Sequence, residues 1–345
     1  SAMLRSTLWS VRLISNSARV PFQEAISSSS IHVFDPAQRL FTTPVEMTAR
    51  NGEKFNIDAV FQDTLPSGSS RGTVVTMHGS PGSHKDFKYI TPILEEKGLR
   101  VVGVNFGGFG LSSDSRHLRQ TNVERSEFVE GLLDRLNLNE NVLFLAHSRG
   151  CETALRLSVR NQDKCIGMAL INPAGFSVHR AIRPLTAVKL LRRAIDRYPV
   201  MHPAMEKIAY HFYHRILRLR LSHGRVAFAA IKSMSMSDLW RQRELVEAIN
   251  KNEDIRTLIC YSGKDHLIDT WISKEFTAAF EKRLALSLHK NESEEELTEQ
   301  IVKAFNDDQR RVTVEFRDDN HFAQKKRAKL IAASVDSMFN SLDKK

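Results

Sequence analysis

Short apolar runs alternate along the chain with segments whose apolar positions recur every three or four residues. That alternation predicts strands followed by helices. "FNIDAVF" from Phe55, "GTVVTMHG" from Gly72, "RVVGVNF" from Arg100, "NVLFLA" from Asn141 and "CIGMALINP" from Cys165 read as strands. "RTLICYSG" from Arg256 and "RVTVEF" from Arg311 follow the same form late in the chain. Helical patterns lie between them: "KDFKYITPILEEKG" ending at Gly98, "NVERSEFVEGLLDRL" with Asn122 as its cap, "CETALRLSVR", "SKEFTAAFEKRL", and a last helix from about Gln324. Strand–helix alternation of this kind predicts parallel strands covered by helices on both faces.

Two insertions break the rhythm. Residues 176–250 are helical in pattern, as in "AVKLLRRAI" and "KIAYHFYHRILRLRL". The second runs from Ala285 to Gln309. It contains "ESEEELTEQIVKAF", an acidic helix with Leu297, Ile301 and Phe305 on one face, read as a solvated surface helix or a partner-docking one.

Composition narrows the class. At 345 residues the chain buries an ordinary core without staples. Cys151, Cys165 and Cys260 are too few and scattered for a disulfide framework or a metal site, so they are expected as buried thiols. No run of eighteen apolar residues exists. The net charge of +10 is uneven: residues 176–250 hold fourteen Lys/Arg against five Asp/Glu. Ser1 and Ala2 look like an expression scar ahead of Met3. From Met3 to Gln23 there is no acidic residue, Arg5, Arg12 and Arg19 recur at intervals of seven, and serines are frequent. This is the composition of a mitochondrial transit peptide over residues 1–30, with a disordered basic tail and a cytoplasmic protein as the alternative.

The candidate chemistry lies at strand ends. "LFLAHSRG" stops a strand at Ser148 and starts a helix at once, with small residues, Ala146 and Gly150, two positions to either side. Two readings fit: a helix N-cap, or a nucleophile on a tight strand-to-helix turn. A serine hydroxyl needs an imidazole to take its proton, and the imidazole needs a carboxylate to fix its tautomer. Asp265 and His321 each follow a strand, in the chain order Ser, Asp, His. Asp269 is the competing carboxylate. Upstream, "MHGSPGSHKDF" places the backbone N–H of Ser80 where, with that of Arg149, it would face a developing oxyanion.

The motifs "HGSPGS", "NFGGFGLSS", "AHSRG", "SGKDHLI" and "NHF" together resemble the α/β-hydrolase superfamily, over roughly His32 to Leu342. The resemblance implies an eight-stranded, mostly parallel sheet with a helical cap inserted after the sixth strand. The expected division is a core of residues 31–175 and 251–345 and a cap of 176–250. It implies Asp265 rather than Asp269 as the acid, and a structural role for Asn105. A serine nucleophile excludes the aspartate-based branches, the epoxide hydrolases and haloalkane dehalogenases. The Arg149 side chain has two readings, a salt bridge behind the turn or a contact to an anionic substrate group.

The expected function is a serine hydrolase acting on an ester, thioester or amide, possessing no cofactor and no metal. The alternative is a non-catalytic ligand-binding or scaffold protein on the same fold. In the cap, Ile208, Phe212, Ile216 and Leu219 share a helical face and Met234 and Met236 add adaptable side chains. With Arg215, Arg218 and Arg220 around them, two readings fit: a pocket for a small-molecule acyl substrate with peripheral contact to an anionic membrane, or a cap helix with one face on the sheet and its lysines and arginines in water. Nucleic acid is not an expected partner, because no binding motif accompanies the charge. Oligomeric state is left open.

Overall fold

A computed structural model describes residues 31–215, 221 and 224–340. The readings placed on residues 1–30 and on Ile216, Arg218, Leu219 and Arg220 lie outside these residues. The strands are β1 (His32–Asp35), β2 (Leu40–Thr48), β3 (Lys54–Asp63), β4 (Thr73–Met77), β5 (Arg100–Val104), β6 (Val142–His147), β7 (Cys165–Ile171), β8 (Arg256–Ser262), β9 (Arg283–Leu288) and β10 (Arg311–Phe316). They form one sheet in the order β1-β2-β3-β5-β4-β6-β7-β8-β10-β9. β1, β2 and β3 pair antiparallel, as do β3 and β5, and every pairing from β5 to β9 is parallel.

The sheet has ten strands where eight were expected, and the two extra strands are its edges, β1 and β9. Edge strands have one neighbour each and need no continuous apolar run. β9 falls where the sequence suggested that a helix runs on to Leu284. That helix stops at Ala278, and Lys282 turns the chain with φ of +51° into the strand Arg283–Leu288. β2 carries Pro44, which argues against a strand interior. β1 reaches only Leu40–Thr42, so Pro44 lies on an edge stretch where proline is tolerated.

The helices are α1 (Thr91–Glu96), α2 (Asn122–Arg135), α3 (Gly150–Arg160), α4 (Leu185–Arg197), α5 (His202–Arg215), α6 (Gly224–Ser235), α7 (Gln242–Lys251), α8 (Thr270–Ala278), α9 (Glu294–Asn306), α10 (Ala323–Lys326) and α11 (Ala328–Asn340). The "KDFKYITPILEEKG" pattern is split into a 3₁₀ turn, His84–Phe87, and α1, whose first turn holds Pro92. The cap of α2 is Thr121, whose hydroxyl accepts from Glu124 N–H, and Asn122 is the first helical residue. One apolar layer, including Phe128, Leu132 and Leu155, packs on one face of the sheet. Leu94, Leu297, Ile301, Phe305 and Leu330 belong to the other. The acidic helix α9 therefore buries its apolar stripe against α11 and exposes only its glutamate face.

Between β7 and β8 the chain leaves the sheet. α4 and α5 both pack on α6, while α7 returns to pack on α3 beneath the sheet. The connections run from β4 to β5 on one side and then to β6 on the other. The strand order thus reverses at β4, and a crevice opens beyond the carboxyl ends of β4 and β6.

Candidate active site

Ser148 stands in that crevice. β6 ends at His147, and Ser148 takes φ of +52°, a left-handed conformation costing a non-glycine residue roughly 1–3 kcal/mol. Two backbone bonds hold it: Ser148 N–H donates to Ile171 C=O (2.9 Å) and Ser148 C=O accepts from Cys151 N–H (3.0 Å). The turn also depends on Gly150, because a Cβ there would lie 2.4 Å from the Met77 carbonyl oxygen. Ser148 does not cap α3; its hydroxyl meets His321 instead.

Three sequence-derived residues come together. Ser148 Oγ lies 3.0 Å from His321 Nε2, and His321 Nδ1 donates to Asp265 Oδ2 at 2.7 Å. The carboxylate fixes the tautomer, so Nε2 is free to accept from the serine hydroxyl. Asp265 Oδ1 accepts from the N–H groups of Leu267 (2.8 Å) and Ile268 (3.0 Å). Burial pushes the Asp265 carboxyl up, but His321 and these two N–H groups outweigh it and hold the group below its ordinary range. Burial lowers the His321 pKa from its ordinary value, against the opposing pull of Asp265. Asp269 is elsewhere: it accepts from Arg180 N–H (3.0 Å) and pairs with the guanidinium groups of Arg180 and Arg183 at 3.3 and 3.0 Å.

Ser80 and Arg149 lie on the two adjacent turns, after β4 and after β6. The closeness of these turns is set by Gly79, where a Cβ would sit 3.1 Å from Ser148 Cβ. Among the described residues neither the Ser80 N–H nor the Arg149 N–H has a backbone acceptor. His78 fixes the first turn. Its buried ring accepts from Phe106 N–H at Nε2 (3.2 Å) and donates from Nδ1 to Gly79 C=O (2.7 Å). Burial lowers its pKa to about 4, so the ring stays neutral and keeps this tautomer. Asn105 is structural: it accepts from His84 N–H (2.9 Å) and donates to Val60 C=O (2.8 Å).

The Arg149 side chain points away from the crevice. It is fully buried, with Nη1 2.8 Å from Glu152 Oε2, an ion pair lacking hydrogen-bond alignment, and Nε donating to Ser233 C=O at 3.3 Å. Glu152 accepts in turn from Asp238 N–H (3.2 Å). The pair therefore ties the turn to the segment after α6.

Several supporting residues were not legible in the sequence. His147 and Asn172 both donate to the carbonyl of His321, at 2.9 and 2.8 Å, and pin its backbone. The loop before His321 is anchored by buried Asp319, which accepts from Arg327 at 2.7 Å; Arg327 pairs also with Glu294 of the acidic helix at 2.5 Å. Only the placement of His147 beside Ser148 offered a signal for any of these.

Ser148, Ser80 and His321 open on a cavity of about 570 Å³ whose other walls are almost wholly apolar, among them Ile182, Val188, Phe228, Ile231 and Met234. Met236 is not part of the lining. Among the described residues no group of three or more His, Cys, Asp or Glu side chains is arranged to hold a metal ion, and Cys151, Cys165 and Cys260 are free and buried.

Comparison with known proteins accords with this architecture. The uncharacterized protein F35H12.5 of Caenorhabditis elegans is 30% identical over 313 residues, covering 86% of this chain and 87% of that protein. Proline iminopeptidase of Saccharolobus solfataricus is 29% identical over 146 residues, 42% of this chain and 44% of that enzyme. In three dimensions, a thermophilic esterase from Thermogutta terrifontis superposes with a TM-score of 0.57 over 85% of this chain and 96% of its own, at 17% identity, a likeness of fold alone. The family model described as "Alpha/beta hydrolase of unknown function (DUF1057)" matches residues 37–340, and the chain belongs to that family.

Proposed function

We propose that the protein is a serine hydrolase that cleaves an ester, thioester or amide through an acyl-enzyme on Ser148, with acyl or lipid-like substrates. The observation that carries the reading is the relay of 3.0 and 2.7 Å from Ser148 through His321 to Asp265, opening on an apolar cavity. In this reading Ser148 Oγ attacks the substrate carbonyl carbon as its proton passes to His321 Nε2. The carbonyl oxygen becomes an oxyanion beside the backbone N–H groups of Ser80 and Arg149. Such donors are worth roughly 2.7–4 kcal/mol each in a water-poor site. Collapse breaks the bond to the leaving group, which takes the proton from His321. Water then attacks the acyl-enzyme, giving its proton to His321, and the acid leaves with Ser148 restored. Asp265 stays ionised and steadies the imidazolium. No step needs a metal or an organic cofactor.

Within residues 176–250, the part ahead of α7 serves as the cap in this scheme, since α7 itself packs on α3 beneath the sheet. It supplies most of the apolar walls, which suit a hydrocarbon acyl group better than a polar one. A fluorophosphonate probe tests the reading. Wild type should be labelled, and Ser148→Ala should be neither labelled nor able to hydrolyse p-nitrophenyl acyl esters, with an unchanged melting temperature. Turnover at the wild-type level in a clean Ser148→Ala preparation refutes the mechanism. An unlabelled, inactive wild type leaves the fold as a binding scaffold.

A further inference from the structure

The helical insertion carries an unusual surface around the mouth of the cavity. Leu191, Ile208 and Phe212 line the cavity and are also open to solvent, Ile208 with 69% of its surface. Tyr198, Val200 and Met201, at the turn between α4 and α5, are exposed as well, Val200 to 88%. Six large apolar side chains exposed within 22 residues are more than scattered surface hydrophobicity.

The charge around them is of one sign. Residues 180–215 hold eight Lys/Arg and two Asp/Glu. Of the two acids, Asp196 is already bridged by Arg192 at 2.7 Å and Lys232 at 3.5 Å. Among the described residues, exposed Arg193, Arg197, Lys207 and Arg215 have no carboxylate within ion-pair distance. A second copy of the chain would bring two such cationic faces together, which like-charge repulsion opposes. An anionic bilayer supplies both things the face lacks: apolar depth for the exposed side chains and negative headgroups for the unpaired cations.

We infer that the α4–α5 face docks on anionic membranes, with Val200 and Met201 entering the interface and Arg193, Arg197 and Lys207 meeting lipid headgroups. The cavity mouth shares that face, so an acyl chain passes from the bilayer to Ser148 without crossing water. Only this delivery step rests on the proposed hydrolase reading; docking itself does not.

The test is co-sedimentation of the full chain with vesicles of phosphatidylcholine alone and of phosphatidylcholine mixed with phosphatidylglycerol. Binding should require the anionic lipid and weaken as salt rises, because exposed charges are screened over about 8 Å at physiological ionic strength. Arg193→Gln/Arg197→Gln/Lys207→Gln should lower the partition coefficient on the order of a hundredfold, from about 1 kcal/mol per cation at an anionic surface. Val200→Asp/Met201→Asp should abolish binding, with melting unchanged because both side chains are exposed. Ser148→Ala should bind like wild type, which separates failure of docking from failure of the hydrolase reading. Absent or lipid-independent binding, or binding unaltered in both variants, overturns the inference. So does a solution dimer without vesicle binding that Val200→Asp/Met201→Asp dissociates, which would assign the face to a second copy.

Discussion

Removing the carboxylate behind the Ser148 turn should cost more than removing its partner guanidinium. Arg149 and Glu152 are both fully buried and 2.8 Å apart. Glu152→Gln leaves the Arg149 charge without its counter-ion, with the buried Arg125 guanidinium as a like-charged neighbour. Breaking a buried pair in this way costs about 3–5 kcal/mol, a large part of the roughly 5–15 kcal/mol that stabilises an ordinary domain. At about 2 °C per kcal/mol for a large domain, the melting temperature should fall by about 6–10 °C. Arg149→Met should be milder, because a stranded carboxyl can take a proton and a guanidinium cannot give one up. Burial already raises the Glu152 pKa, with Arg149 as the strongest opposing influence. Without Arg149 the folded-state value rises further above the unfolded one. The folded state then binds more protons, so the deficit is full above the folded pKa and shrinks as pH falls toward the unfolded value. The double variant Arg149→Met/Glu152→Gln should be more stable than Glu152→Gln alone. Its glutamine still accepts from Asp238 N–H, and the Ser233 carbonyl keeps Met236 N–H as a donor. Thermal melts by circular dichroism at about pH 7.5 and again at about pH 5, closer to the ordinary carboxyl range, would measure all three, and the Arg149→Met deficit should be the smaller at the lower pH. A Glu152→Gln protein that melts with wild type, or a double variant that loses the sum of the two singles, refutes the reasoning.

Other expectations follow from the same geometry. Asp265→Asn should lower kcat by about 10⁴-fold and Asp269→Asn far less, since Asp269 bonds Arg180 and Arg183; the reverse order in steady-state kinetics would reassign the acid. Hydrolysis needs neutral His321, whose pKa burial holds below its ordinary 6.5, so kcat/KM should rise with pH to a plateau, with its midpoint below that value. A midpoint above it contradicts the assignment. Asn172→Ala should loosen the His321 backbone and lower kcat by up to about 10²-fold through misplacement of the imidazole with KM unchanged, and an unaltered kcat removes Asn172 as a positioning residue. Residues 3–40 fused to a fluorescent protein should reach mitochondria; a diffuse cytosolic signal removes that localisation.

The parts of the fold legible in the sequence were those with local causes. Parallel strands buried on both faces need unbroken apolar runs, so β4 to β8 and β10 stand out as text. The edge strands β1 and β9 do not, since β1 is exposed along most of its length and β9 is largely half-buried. In the candidate site, Ser148, Asp265 and His321 were legible because each follows a strand and their order matches one architecture. Asp265 and Asp269 could be told apart only by resemblance until the hydrogen bonds separated them.

By itself the sequence determined the layered class of the fold, the tight turn at Ser148 through Ala146 and Gly150, and the concentration of positive charge between β7 and β8. Each follows from the chemistry of neighbouring residues. The tertiary structure alone decided what depends on residues far apart in the chain meeting. It set Ser148 against His321 across 173 positions, turned Arg149 inward onto the carbonyl of Ser233, and gave His147 and Asn172 the carbonyl of His321 to hold. It also decided which face of the insertion stays bare. Helical periodicity marks which residues share a face, but only packing settles whether a neighbour covers it, and around Val200 and Ile208 the described chain leaves it open.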